Sequence, residues 1–447
     1  MTSTLRPTLL FVFVLLLFVA TGFVQSWNVA LTIFNMGLVS AIMALGVNMQ
    51  WGYAGLFNVG IMGFVALGGL GAVLVSTAPN PEAISAGGLR VIGGLLLGAA
   101  TVVAAIAAFR RLEKFRGLVV AGILLVGFFA FRALLDPGVA AIEAVNPAQA
   151  GNVGGLNIFE FFRDPDAPRR ADLFVLLGWP AGALLAAGVA WVIGKTALGL
   201  RSDYLAIATL GIAEIIIATM KNEDWLARGV KNVIGLPRPT PYEITLQNSE
   251  AFTSRMAAWG LDPVTASSVT VKLAYSGLFL IVLLLLLWLS QAALASPWGR
   301  MMRAIRDNEV AAEAMGKDVK RRHLQIFVIG SAVVGLAGAM MTTLDGQLTP
   351  GTYQPLRFTF LVWVMVIVGG SGNNFGAVLG GFLVYWLWIQ VEPLGALLMN
   401  GITGGMADGS WLKGHLQDAA AHMRLLTMGL ILLLVLRFSP KGLIPEK

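Results

Sequence analysis

The stretch "RAIRDNEVAAEAMGKDVKRRHLQ" (Arg303 to Gln325) is dense in charge, yet it sits between two of the most apolar runs in the chain, 272–294 and 323–343. A helix needs about 20 apolar residues to cross the hydrocarbon core of a bilayer, and both runs meet that length. The charged stretch is then a connection at a membrane surface. The whole chain agrees: 57% of its 447 residues are hydrophobic and 12% are charged, where soluble chains carry about 25% charged residues.

Outward from that stretch, twelve apolar segments lie near 7–25, 28–49, 56–77, 91–109, 117–135, 172–194, 203–220, 272–294, 323–343, 358–371, 374–391 and 423–437. The expected fold class is all-α, a polytopic transmembrane helical bundle of about 10–12 spans. The first run, Pro7 to Val24, is longer than the roughly 7–15 residues of a signal-peptide core and reads as an uncleaved span. Segment 56–77 holds Gly60, Gly63, Gly68, Gly69 and Gly71, and 358–391 is interrupted by "VGGSGNNFG" (Val368 to Gly376). Such glycines permit either close helix contact or a broken helix at membrane depth. The chain reads as a single domain, 1–447.

Lysine and arginine in short loops set orientation. "RRLEKFRG" (Arg110 to Gly117), the Leu200 to Tyr204 loop with Arg201, and Gly299 to His323 all carry such residues, which predicts that they face the cytoplasm. Twelve crossings from a cytoplasmic N-terminus put these loops and the tail "RFSPKGLIPEK" on that same side. The polar stretches Asp136 to Asp172, Lys221 to Val271 and Glu392 to His422 fall opposite, as irregular connectors with short interfacial helices.

The net charge of +7 belongs to these loops, so nucleic acid is not an expected partner. With no cysteine, thiolate catalysis, disulfides and Cys-ligated zinc are excluded. His323, His415 and His422 form no HExxH pattern, and no carboxylate pattern makes them a hydrolytic site. "VAWVIGKT" (Val189 to Thr196) has Val189 where a phosphate-binding loop needs its first glycine, and no strand precedes it; Gly194 to Thr196 reads as a helix end. No cofactor is expected in this chain.

Within Met301 to Gly316, Met301, Ile305, Asn308, Ala312 and Met315 recur at three- and four-residue spacing, with Arg303, Arg306, Asp307, Glu313 and Lys317 largely off that stripe. This predicts one amphipathic surface helix ended by Gly316. It reads either as an interfacial anchor or, because Ala311, Ala312 and Ala314 are small, as a surface that another protein can approach closely.

"RAIRDNEVAAEAMG" resembles the cytoplasmic loop of ABC importer permeases, and more narrowly that of the branched-chain amino acid permeases of LivM type. So do, in order, "MQWGYAGLFNVG" (from Met49), "RSDYLAIATLGIAEII" (from Arg201), "FVIGSAVVGLAGAM" (from Phe327), "VIVGGSGNNFGAVLG" (from Val366) and "RFSPKGLIP" (from Arg437). The resemblance covers a core of 28–77 and 172–447; 81–171 reads as an inserted helical pair with an outer loop. It implies an ATPase-coupling helix with Arg303, Arg306, Glu309, Ala311, Ala312 and Gly316, and a location in the bacterial inner membrane with both termini cytoplasmic. The partners it implies are a second homologous permease, two ATPase subunits that bind the ATP and Mg, and a periplasmic substrate-binding protein, in addition to membrane lipid.

Two departures bear on substrate. Where the family typically has a Thr-Gly-Gly-x-Asn-Gly turn, the chain reads "ARGVKNVIGLPRP", in which only Gly229, Asn232 and Gly235 echo it; where the family often has "SLGHAAF", it reads "NVGIMGF" from Asn58. Residues of a translocation path are proposed at Asn58, Glu214 and Asn232. Glu214 is an acid inside an apolar run, which costs about 2.5–3.5 kcal/mol at a helix centre, so it either lines a cavity or is a buried acid bonded to a neighbouring helix. Asn35, Asn48 and Asn58 read as path residues or as interhelical glue. The expected substrate is a branched-chain amino acid, with urea or a short amide as the alternative. A secondary transporter would need coupling-ion ligands at midplane, for which only Glu214 offers itself.

Overall fold

The computed structural model describes residues 5–145, 157, 172–200, 202–223, 226, 228–406, 410–419 and 422–446. Helix α1 is Leu5–Val24, α2 Trp27–Ala54, α3 Ile61–Ser76, α4 Pro81–Arg111 and α5 Arg116–Val145. They are followed by α6 Leu173–Ala197, α7 Ser202–Asn222 and the strand β1 Val233–Ile234. Next come the short α8 Glu243–Gln247 and α9 Glu250–Ala258, the long α10 Pro263–Ala295, and the surface helices α11 Pro297–Asp307 and α12 Glu309–Ala314. The chain continues through α13 Val319–Asp345, β2 Gln347–Leu348, α14 Leu356–Gly369, α15 Asn374–Thr403, α16 Trp411–Ala419 and α17 Met423–Phe438. The two strands pair antiparallel, Val233 opposite Leu348.

Element ends follow capping chemistry. Ser26 accepts from Val29 N–H to start α2, and Gly55 at φ 68° ends it, a left-handed conformation that costs glycine little. Asp262 caps α10 with Pro263 behind it, so α10 starts nine residues before the apolar run at 272 does. Likewise α5 extends to Val145 and α15 continues through Pro393 to Thr403. Helix bonding outlasts apolarity at these ends.

All twelve apolar segments become helices, but not all are of membrane length. Among the described residues nine helices are long and apolar enough to cross, or ten if α16 and α17, bent by 59°, form one broken span. Helix α3 has 16 residues, about 24 Å at 1.5 Å per residue against a hydrocarbon core of about 30 Å. It needs no lipid contact: every residue from Ile61 to Val73 is buried.

The centre is built by α2, α3, α6, α13, α14 and α15. Helix α13 packs on α6, α3 and α2, while α2 also holds α15 and α10. Glycines set these distances. A Cβ on Gly68 would lie 1.8 Å from Gly335 O, and one on Gly338 would lie 2.1 Å from Val65 O, so α3 and α13 touch backbone to backbone. Helices α4 and α5 pack chiefly on each other, around a separate small cluster of Ala83, Val91, Leu135 and Ile142.

Candidate functional site

The single helix expected over Met301 to Gly316 is two, α11 and α12. Asn308 leaves helical geometry (φ −156°, ψ 96°) and its side-chain oxygen accepts from Ala311 N–H at 3.0 Å, capping a second helix. The expected continuous stripe is broken there. Met302, Ile305 and Ala312 are the buried face, while Asn308 is a cap and Met315 is exposed. Gly316 closes α12 at φ 75°, with Gly316 N–H bonding Glu313 O at 2.9 Å and Lys317 N–H bonding Ala312 O at 3.1 Å; the second of these is the 6→1 bond of a Schellman end.

Of the residues proposed for coupling, Ala311 faces outward and Ala312 inward, Glu309 is exposed at the mouth of the cavity behind the pair, and Arg303 and Arg306 are half-buried. Val310 and Met315 are 77% and 79% exposed, so α12 presents an apolar, small-residue surface away from its own chain. A cavity of about 180 Å³ behind the pair is lined by Gly55, Phe57, Leu205, Ile305, Glu309 and His323 among others.

Arg306 joins three elements. Its Nη1 donates to Gly52 O near the end of α2 and to Glu446 Oε2 at 2.9 Å, and its Nη2 lies 3.2 Å from Asp307 Oδ1. The Gly370–Asn373 turn between α14 and α15 lies on the same side: Gly372 N–H donates to Asn48 Oδ1 at 2.8 Å, and Asn48 Nδ2 donates to Asn374 Oδ1 at 3.1 Å. The Tyr53 hydroxyl also donates to Asn374 Oδ1. The ends of α2, α11, the α14–α15 turn and the C-terminal tail therefore share one polar junction.

The proposed path residues are not brought together. Asn58 is fully buried: its Nδ2 donates to Gln50 Oε1 at 2.9 Å, its Oδ1 accepts from Gly60 N–H at 2.9 Å, and its carbonyl accepts from Trp363 Nε1 at 3.0 Å. Asn35 bridges α2 to α10 through Lys272 O and Ser276 Oγ. Asn35 and Asn48 thus link separate elements, while the Asn58 side chain ties the α2–α3 loop to the end of α2 and its backbone carbonyl ties it to α14. Glu214 is exposed on the outer face of α7 beside Ile215. It is not the buried acid that one sequence reading expected, because its side of the helix points away from the core. Asn232 precedes β1 with φ 61° and ψ 149°, a region that side chains other than glycine rarely enter; Arg228, at φ 57°, is also left-handed.

Gly194, Lys195 and Thr196 lie in the last turn of α6, with Lys195 stacked over Trp191, so they form no phosphate loop. Among the described residues no group of three or more His, Asp or Glu could hold a metal ion.

Among the described residues, nine or ten membrane-length helices around a glycine-packed centre, with an amphipathic pair at one end, make this a multi-pass membrane protein. Comparison with known proteins narrows this. The chain belongs to the family described as branched-chain amino acid transport system permease components, whose profile matches residues 29–436. It is 30% identical over 214 residues to the high-affinity branched-chain amino acid transport system permease protein LivM of Escherichia coli K12, covering 46% of this chain and 48% of that one. It is 26% identical over 249 residues to a probable LivM of Methanocaldococcus jannaschii, covering 56% and 61%. The xylose transport system permease protein XylH of Escherichia coli K12 is 25% identical over 199 residues, covering 43% and 47%. The chain thus spans about half to three fifths of the length of these relatives. No solved structure matches it.

Proposed function

We propose that the chain is one of two transmembrane subunits of a bacterial ABC importer for branched-chain amino acids. A homologous permease would form the other half, two ATPase subunits would bind ATP and Mg, and a periplasmic binding protein would deliver the substrate. The family and the LivM relatives support this reading. The observation that carries it is the outward face of α12, where Val310, Ala311 and Met315 are exposed while Met302, Ile305 and Ala312 anchor the pair from behind. The inner set is buried on the protein, and the outer set would fill a groove on an ATPase partner. That face, the basic loops and both termini would be cytoplasmic, with the polar stretches on the periplasmic side.

In this mechanism ATP-driven closure of the ATPases moves α11 and α12, and the path between the permeases changes the side to which it opens. The outward face of α7 with Glu214 is then a surface for the second permease or for the path. Urea or a short amide is the second substrate class, and the xylose permease likeness makes a sugar a necessary control.

The test is the reconstituted five-part complex with labelled leucine, isoleucine, valine, urea and xylose. Substrate-stimulated ATP hydrolysis with uptake of the branched-chain set is expected. Ala311→Arg should abolish uptake at normal assembly by blocking the outer face, whereas Ala312→Arg should lower the yield of folded chain because it overfills the inner one. Full uptake in Ala311→Arg contradicts the docking assignment.

A further inference from the structure

The sequence resemblance ends on "RFSPKGLIP" and gives that tail no task. The structure does. After α17, Gly442 turns the chain at φ 77°, and Leu443 N–H and Ile444 N–H donate to Val368 O and Gly369 O, both at 2.9 Å. Those two carbonyls belong to the last turn of α14, where a helix has no partners of its own to offer. One step further on, Asn373 Nδ2 donates to Pro445 O at 3.1 Å, and Glu446 receives Arg306 at 2.9 Å. The tail is thus laid across the α14–α15 turn and pinned to α11.

The fit leaves no slack. A Cβ on Gly370 would lie 2.2 Å from Ile444 O, one on Gly442 would lie 2.3 Å from Gly370 Cα, and one on Gly372 would lie 2.6 Å from Glu446 Oε2. Glycine at 370 and 442 lets tail and turn meet backbone to backbone, glycine at 372 makes room for the Glu446 carboxylate, and Gly370 and Gly372 have φ of 120° and 83°. Ile444 is buried in this contact. By comparison α11 itself packs chiefly on α2 and α10, so the tail gives it a second, direct route to the α14–α15 pair.

We infer that the 439–446 tail is a strap that carries movement of the α11–α12 docking helices to the broken α14–α15 pair, and that Glu446, acting through Arg306, is the positioning residue that fastens it. The inference rests on the importer reading. A rigid pair of helices joined by a glycine turn has two routes to follow a push at α11: indirectly, through α2, or directly, through the strap. Both ends of the Arg306–Glu446 pair are about three-quarters shielded. The Arg306 guanidinium also holds Gly52 O, so one cation registers α2, α11 and the tail together. Coupling between separate elements in proteins is a free energy set by such shared contacts. Remove the carboxylate and the helices keep their packing but lose their register.

The test has two arms. In the isolated chain, Glu446→Leu should leave the yield and the exchange protection of α2, α3 and α13 unchanged, while amide exchange rises at Gly372 and Leu443 to Ile444. In the reconstituted complex, the same variant should take up ~5-fold less substrate per ATP hydrolysed or worse, with the ATPase rate kept. Glu446→Gln, whose carbonyl still accepts from Arg306, should restore much of that ratio; a residue that served folding alone would not separate uptake from hydrolysis. Unchanged uptake per ATP in Glu446→Leu, or uptake, hydrolysis and yield falling together, overturns the strap while leaving the importer reading in place. A wild-type complex that hydrolyses ATP without taking up any solute brings down the importer reading itself, and the strap's role in transport falls with it. In that event the exchange arm still decides whether the tail is fastened by Glu446.

Discussion

Helices α2 and α13 bury 78% and 67% of their most apolar windows inside the chain, whereas α4 and α5 bury 17% and 6%, although the latter pair is the more apolar of the two sets. Greasiness alone therefore does not say which helices form the centre. In a bilayer there is no hydrophobic drive between helices, so backbone approach and polar ties decide it. The central helices have both. Gly46, Gly68, Gly335 and Gly338 bring α2, α3 and α13 together, and Gln50 reaches Phe327 O and Ser331 Oγ at 3.0 Å. The α4–α5 pair has close glycines too, at Gly87, Gly127 and Gly138, but they serve only its own hairpin. Thr101 bonds Leu97 O, and Arg132 pairs with Asp136, each within its own helix. Leu96, Val103, Leu118 and Val126 are left facing outward, toward lipid once the chain is in a membrane.

The largest expected effect is at the centre. Gly68→Val puts a side chain into the Gly335 carbonyl, and since backbone cannot move aside as a side chain can, the loss should exceed ~3 kcal/mol. Folded, monodisperse chain in detergent should be almost absent; a normal yield would erase the distinction between the two regions. Next is Asn48→Ala, which leaves Gly372 N–H without its acceptor and should cost about 1–3 kcal/mol, read as a lower midpoint in thermal unfolding. The smallest effect belongs to the hairpin. Gly127→Leu would bring a Cβ to within 2.0 Å of Thr101 Cγ2 and 2.7 Å of Thr101 Cβ, so α4 and α5 must part there, but the two pack chiefly on each other and the damage stays in the hairpin. Amide exchange should rise within 81–145 alone, with the unfolding midpoint of the centre shifted by less than ~0.5 kcal/mol equivalent, as for distant independent sites.

The bundle itself was legible because each crossing is written as a run of apolar residues, and Gly316 stands where a helix ends, whereas the Asp262 and Ser296 caps lie outside the apolar runs and were not read. Hydropathy could not shorten α3, since Leu56 and Phe57 continue the apolar run through a turn that is not helical. Asn308 did carry a signal, an N-cap residue followed at once by Glu309, but the alanine-rich spacing around it masked the break. Glu214 was singled out correctly as an acid in an apolar run; which side of α7 it occupies depends on packing that its own segment does not encode. Glu446 had no signal at all, because its partner Arg306 is 140 residues away.

The contact between Gly68 and Gly335 also sets a clock on biogenesis. About 270 residues separate the two, which at roughly 5–20 residues per second of synthesis is on the order of 13–55 s. Throughout that interval α3, too short to span comfortably and shaped to meet another backbone, has left the ribosome without its α13 surface. Before then the same glycine face already meets α6, where a Cβ on Gly182 would lie 2.5 Å from Gly68 O, so α6 is the first surface against which α3 can close.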